Sequence, residues 1–180
     1  MNEIALAIRV LVALVFLSTA FGKARHRVAF QGVVVNYRLI PEIAVPAFAL
    51  LLPLVEAAVA AGLLVAPPPW PEIGGAALLM LFATAMGINI GRGRHHIDCG
   101  CFQSALKQSL SWTLVARNSG LAVLLGVPAA VPEGTLPESR VAEALMMAAV
   151  LFVLLQSLNI LWSVMPAWRL RGAITTGAEK

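Results

Sequence analysis

Residues 43–65 read IAVPAFALLLPLVEAAVAAGLLV, with Glu56 the one charge in the run. A helix needs about 20 mainly apolar residues to cross a hydrocarbon core roughly 30 Å thick. This stretch, Ile43–Val65, is long enough. Four further runs share its character: Ile4–Phe21, Ile73–Ile90, Leu110–Val127 and Val141–Val164. Barrel strands would instead alternate apolar and polar residues over segments of about ten, and no such pattern is present. Only helices and closed barrels satisfy backbone polar groups inside a bilayer. The expected fold is therefore all-α: a polytopic transmembrane helical bundle, residues 1–180 forming one integral membrane domain. Five spans are expected. Four is the alternative, because Arg117 and Asn118 interrupt the short fourth run.

Composition agrees. The chain is 59% hydrophobic and 12% charged, against roughly 25% charged residues in ordinary soluble domains. Its net charge of +4 does not point to nucleic acid, because the bases gather in short loops, as they do on cytoplasmic membrane faces. Lys23, Arg25, Arg27 and Arg38 fall in the first loop, Arg92, Arg94 and Lys107 in the third, and Arg169, Arg171 and Lys180 in the tail. The second loop, Pro67–Glu72, has no base. This alternation places the N-terminus outside and the C-terminus inside. Met1-Asn2-Glu3 lacks the positive region of a signal peptide, so the run from Ile4 reads as a retained span. The segment Val33–Ile40 is apolar but too short to cross, and reads as interfacial with Tyr37 at headgroup level.

The two cysteines of the chain, Cys99 and Cys101, flank Gly100 just after the third run, within Arg94-His95-His96-Ile97-Asp98-Cys99-Gly100-Cys101-Phe102. A disulfide across one residue needs an unusual turn, which glycine permits. Such a strained ring is readily reduced and suits exchange better than bracing. Nearby cations favour the nucleophilic thiolate, and Arg117 is a candidate to approach it. His95 and His96 are candidates to relay protons; Asp98 opposes thiolate formation or accepts a proton. The leading reading is a redox dithiol, with Cys99 and Cys101 as catalytic residues and Asp98, Gly100, His95, His96 and Arg117 in support. A metal site built from His95, His96, Cys99 and Cys101 is a rival, although the spacing is not a standard zinc pattern. A structural bridge, or inert thiols, is the third reading.

Ionisable groups inside spans are costly and find partners. Arg9 and Glu56 both fall in the outer half of the expected bundle and are expected to pair. Asn89, Gln156 and Asn159 are expected to hydrogen-bond between helices. There is no inverted repeat or pair of broken helices of the kind transporters show.

The block Asp98-Cys99-Gly100-Cys101-Phe102, followed by a span carrying Arg117-Asn118, resembles the MauE family of methylamine-utilisation membrane proteins, which is grouped with DoxX-like redox-associated membrane proteins. Phe21-Gly22-Lys23, Tyr37, Pro41, Pro53 and Glu56 agree in order. The resemblance covers nearly the whole chain. It implies a multi-pass protein of the bacterial inner membrane that supports maturation of a periplasmic client, such as the small subunit of methylamine dehydrogenase. It also implies disulfide formation as the chemistry, Cys99 and Cys101 as the redox pair, and a thioredoxin-like, MauD-like partner. Whether the chain is itself a thiol–disulfide oxidoreductase or a non-catalytic assembly subunit is left open by the residues. No cofactor is required. One cysteine pair cannot hold two disulfides in series, so the second exchange partner must be another protein or a quinone. The charge bias puts the cysteine loop on the cytoplasmic side, whereas the implied clients are periplasmic.

Overall fold

The structure, a computed structural model, describes residues 2–94, 96–99, 109–130 and 136–176, with side chains to Leu161. Among the described residues the fold is helical throughout, and the single extended pairing is an isolated antiparallel bridge between Asp98 and Ser109. Five helical segments are long and apolar enough to cross a membrane: Glu3–Arg25, Glu42–Val65, Trp70–Gly91, Trp112–Ala130 and Glu138–Leu161.

Helix α1 (Glu3–Arg25) starts at Asn2, whose side chain accepts from the Ala5 amide, a standard way to satisfy one of the free amides of a first turn. Its buried face runs through Ala5, Arg9, Val12, Phe16, Thr19 and Lys23. These positions recur every three or four residues, so they form one stripe. Arg9 and Lys23 are fourteen residues apart on it, about 21 Å at 1.5 Å per residue. Helix α2 (Arg27–Tyr37) is short, and Arg38, in the left-handed region (φ 49°), ends it. Of the apolar segment read as interfacial, Val33–Tyr37 form the second half of this helix and Arg38–Ile40 lie beyond its end. The helix buries Phe30 and Val34, one turn apart, against the bundle.

A 3-10 turn (Glu42–Ala44) leads into α3 (Val45–Val65), whose buried positions Val45, Ala49, Leu52, Glu56, Ala60 and Leu63 again trace one stripe. Pro53 sits inside it and cannot donate to the Ala49 carbonyl, a loss that membrane helices tolerate. Helix α4 (Trp70–Gly91) begins earlier than the apolar run. Pro71 fits a first helical turn because its missing N–H is not needed there, and Glu72 gains from the positive end of the helix dipole. Helices α5 (Trp112–Leu124) and α6 (Gly126–Ala130) share the fourth span, separated at Leu125. Helix α7 (Glu138–Thr176) has 39 residues, or about 58 Å, so it is longer than a bilayer core.

The main core joins α1 through α5: Val12, Phe16, Phe30, Val34, Leu52, Leu63, Leu79 and Leu121 are among its members. Gly75 lies at a tight point in it, where an added Cβ would stand 3.0 Å from Leu125 Cδ1 and 3.5 Å from Phe16 and Val59. A second cluster ties the end of α4 to α5 through Met86, Ile90, Cys99, Leu110 and Leu114. Helix α7 meets α1 through Ala7, Leu11, Ala144 and Ala148; small residues of this kind let membrane helices approach closely. Elsewhere the molecule turns large apolar side chains outward, including Leu50, Leu54 and Leu64 of α3, Leu81 and Ile88 of α4, and Val150, Leu154 and Leu161 of α7. Soluble monomers rarely expose such continuous apolar faces. With lipid as the solvent, these faces carry no penalty.

Candidate functional site

The loops on either side of α2 and the loop after α4 come together at one end of the bundle. Tyr37, the last residue of α2, donates its hydroxyl to the Cys99 carbonyl at 3.2 Å. Ile97 and Leu110 are joined by a backbone hydrogen bond of 3.1 Å, and the Asp98–Ser109 bridge lies beside it. These pairings form a neck that fixes Cys99 at the helix ends. Cys99 is buried, at 7% exposure, among Met86, Ile90, Leu110 and Leu114. His96 is exposed and Asp98 half-buried. His95, Gly100 and Cys101 lie outside the described residues. Among the described residues no group of His, Cys, Asp or Glu is arranged to hold a metal ion.

Directly beneath Cys99 is a cavity of about 290 Å³, walled by Lys23 of α1, Phe30, Val33, Val34 and Tyr37 of α2, Leu39 and Ile40, Phe48 and Leu52 of α3, Leu81, Phe82, Ala85 and Met86 of α4, and Cys99 itself. Among the described residues Lys23 is the one charge in that wall. Its ammonium pairs with Glu56 Oε1 and lies 4.7 Å from the centre of the Phe82 ring and 5.5 Å from that of Phe30. Helical side chains lean toward their own N-terminus, so Lys23 reaches back into the bundle rather than out to the loop. Both partners are almost fully enclosed, at 6% and 0% side-chain exposure. Aromatic faces and a carboxylate together make a buried ammonium tolerable. Glu56 Oε2 has no hydrogen-bond partner among the described residues.

This arrangement corrects two expectations. Lys23, counted among the bases of the first loop, belongs to the core. The Arg9–Glu56 pair is replaced by two others, Lys23–Glu56 and Arg9–Glu72, the latter with Arg9 Nε 3.2 Å from Glu72 Oε1. Arg9 also donates to the Leu63 carbonyl at 2.8 Å, and to those of Gly62 and Ala66. The last carbonyls of a helix lack intrahelical donors, and the guanidinium supplies them at the end of α3 while its charge complements the negative end of that helix dipole. Arg9 is drawn to the end of α3, whereas Glu56 lies two turns deeper, nearer Lys23.

Arg117 is half-buried on α5 and donates to Asn159 Oδ1 of α7 at 2.7 Å, and Asn159 in turn donates to Gln156 at 3.4 Å. It serves an interhelical link. Asn89 and Asn118 instead donate back to carbonyls of their own helices, Ala85 at 3.0 Å and Leu114 at 2.8 Å. Lys23, Phe82 and Glu72 are site or support residues that reading by runs and loops passes over. The signal for Lys23 is present in the sequence: it continues the stripe that begins at Ala5 and Arg9.

The family profile described as "Methylamine utilisation protein MauE" matches residues 1–131, a stretch that contains the cavity, both cysteines and both buried ion pairs. This chain belongs to the MauE family. Methylamine utilization protein MauE of Paracoccus denitrificans is 51% identical over 132 residues, covering 70% of this chain and 71% of that protein. MauE of Paracoccus versutus is 42% identical over 161 residues, covering 86% and 85%. MauE of Methylorubrum extorquens is 48% identical over 117 residues, covering 64% and 63%. No solved structure matches the chain. The family-profile match ends before α7, the helix attached to the bundle through α1, whereas the Paracoccus versutus alignment, at 86% of this chain, runs into it.

Proposed function

We propose that this MauE-family protein is a thiol–disulfide redox protein of the bacterial inner membrane. In this reading Cys99 and Cys101 exchange with a thioredoxin-like partner and support disulfide formation in a periplasmic client such as the methylamine dehydrogenase small subunit. The observation that supports it best is the placement of Cys99: buried, fixed by the Tyr37 hydrogen bond and the neck between residues 97 and 110, and on the wall of a cavity. A cysteine that only filled space would need neither the anchored loop nor a second cysteine two residues on.

In the exchange, a client thiolate attacks one sulfur of the Cys99–Cys101 disulfide and the other sulfur leaves as thiolate. A second client thiolate then attacks the mixed disulfide, forming the client's disulfide and returning a dithiol to the membrane protein. Two electrons pass from client to carrier.

Single Cys99→Ser and Cys101→Ser variants test this. One of them should accumulate a mixed disulfide with a thioredoxin-like or client protein, visible on non-reducing gels and lost on reduction, and both should abolish client maturation. Full client maturation in the Cys99→Ser/Cys101→Ser double variant would overturn the proposal and favour a non-catalytic assembly role.

A further inference from the structure

A dithiol formed by client oxidation must be reoxidised, and the chain has no second cysteine pair for that step. The electrons must leave by another acceptor. We propose that the cavity beneath Cys99 is the binding site of a membrane quinone that takes them, an inference that rests on the thiol–disulfide reading.

Three features specify this chemistry. The wall is apolar except for Lys23, Tyr37 and Cys99, which suits a lipid-soluble ring and excludes a nucleotide or a charged peptide. Its volume, about 290 Å³, falls just below the roughly 300–1,000 Å³ typical of small-molecule pockets, enough for one substituted ring and the start of a tail. Leu39 and Leu81 are the exposed members of the wall, so entry is over apolar surface, from the hydrocarbon side.

The charged residue decides between a quinone and a plain lipid chain. An acyl tail gains nothing from a buried ammonium. A quinone oxygen becomes negative as it is reduced, and a fixed positive charge in a dry site stabilises that change. Lys23 has three N–H donors, one of them directed at Glu56. Phe82 and Phe30, whose rings face the ammonium, also line the cavity and offer aromatic contact to a flat ring. The step balances. The two thiols of Cys99 and Cys101 lose two electrons and two protons and an S–S bond forms. The two carbonyl oxygens of the quinone take up both, giving a quinol that leaves into the bilayer.

The test uses the full-length protein in lipid nanodiscs, reduced, desalted and kept anaerobic, with decylubiquinone as probe. The expected result is one quinol formed per protein, with loss of both thiols to maleimide. The same preparation is offered oxidised thioredoxin. Thiol exchange with thioredoxin but no reduction of the quinone overturns the quinone site while leaving the redox reading standing; failure of both overturns both. Ala85→Phe, which fills the cavity, should slow quinone reduction at least about ten-fold, the loss of about 1.4 kcal/mol in binding or barrier. A binding measurement covers the case in which that variant does not fold. An azido-quinone photoprobe on the Cys99→Ser/Cys101→Ser protein should label residues 33–40 and 81–86, with labelling competed by decylubiquinone. Labelling confined to other segments overturns the site.

Discussion

Lys23 and Glu56 are each intolerable alone at their depth and acceptable together. Removing one member of a buried pair leaves an uncompensated charge, a loss of about 3–5 kcal/mol, whereas replacing both with apolar residues of similar size is often neutral. Glu56→Leu should therefore lower thermal stability in detergent sharply, and Lys23→Met/Glu56→Leu should restore most of it, as read by heating followed by size-exclusion recovery. A double variant as unstable as Glu56→Leu would show that the pair's geometry, not its charge balance, holds the core. Because Lys23 also lines the cavity, the restored variant should still reduce decylubiquinone slowly. The other pair has its own signature. In a double-mutant cycle Arg9→Met should couple energetically to Glu72→Leu and add independently with Glu56→Leu. Coupling of Arg9 to Glu56 instead would contradict the observed pairing.

At the scale of elements, α1 is the organiser. Its one stripe carries a cation near each end, about 21 Å apart, and each cation fixes a different neighbour. Arg9 binds the carbonyls closing α3 and lies beside Glu72 opening α4; Lys23 holds the middle of α3. The opposite side of α1 receives α7 through alanines. Ala148→Leu should push α7 away, because the closest contact of those two helices has no room for a branched side chain. The expected readout is faster proteolysis between α6 and α7 with the proposed exchange at Cys99 and Cys101 retained, since α7 contributes nothing to the described cavity wall. Gly75→Leu differs. It would force a side chain between Phe16, Val59 and Leu125, where α1, α3, α4 and the α5–α6 junction meet, and should abolish recovery of folded protein.

For the whole molecule, the contact between Tyr37 and Cys99 joins the first and third basic loops at one end, while Arg9, Glu72 and the end of α3 mark the other. Charge bias assigns the first of these ends to the cytoplasm. In a protein otherwise lacking cysteine, Arg27→Cys and His96→Cys should react with an impermeant maleimide only in inverted vesicles, and Trp70→Cys only on intact cells. Labelling of the first two from intact cells would invert the orientation and bring the Cys99 end directly to the proposed periplasmic client. If the cytoplasmic assignment holds, electrons from the proposed client must reach Cys99 through the bundle or from a partner, and the proposed acceptor in the bilayer is open to either arrangement.

The sequence by itself determined the solvent. Apolar runs of span length admit only helices in a bilayer, and two cysteines around one glycine form a motif suited to exchange chemistry whatever surrounds it. The apolar runs 43–65 and 73–90 overlap α3 (Val45–Val65) and α4 (Trp70–Gly91), because apolar length is a property of the local sequence. Tertiary structure alone decided which charges meet. Arg9 and Glu56 look matched because depth along a span is legible in sequence, but pairing depends on the rotation of each helix about its axis and on the lean of long side chains, which depth does not specify. The same holds for the cavity. Lys23, Tyr37, Phe82 and Cys99 come from four separate segments, and their convergence on one pocket is a product of packing. Cys99, which the sequence sets at a span boundary, is in three dimensions part of the wall of a chamber whose exposed members, Leu39 and Leu81, are apolar.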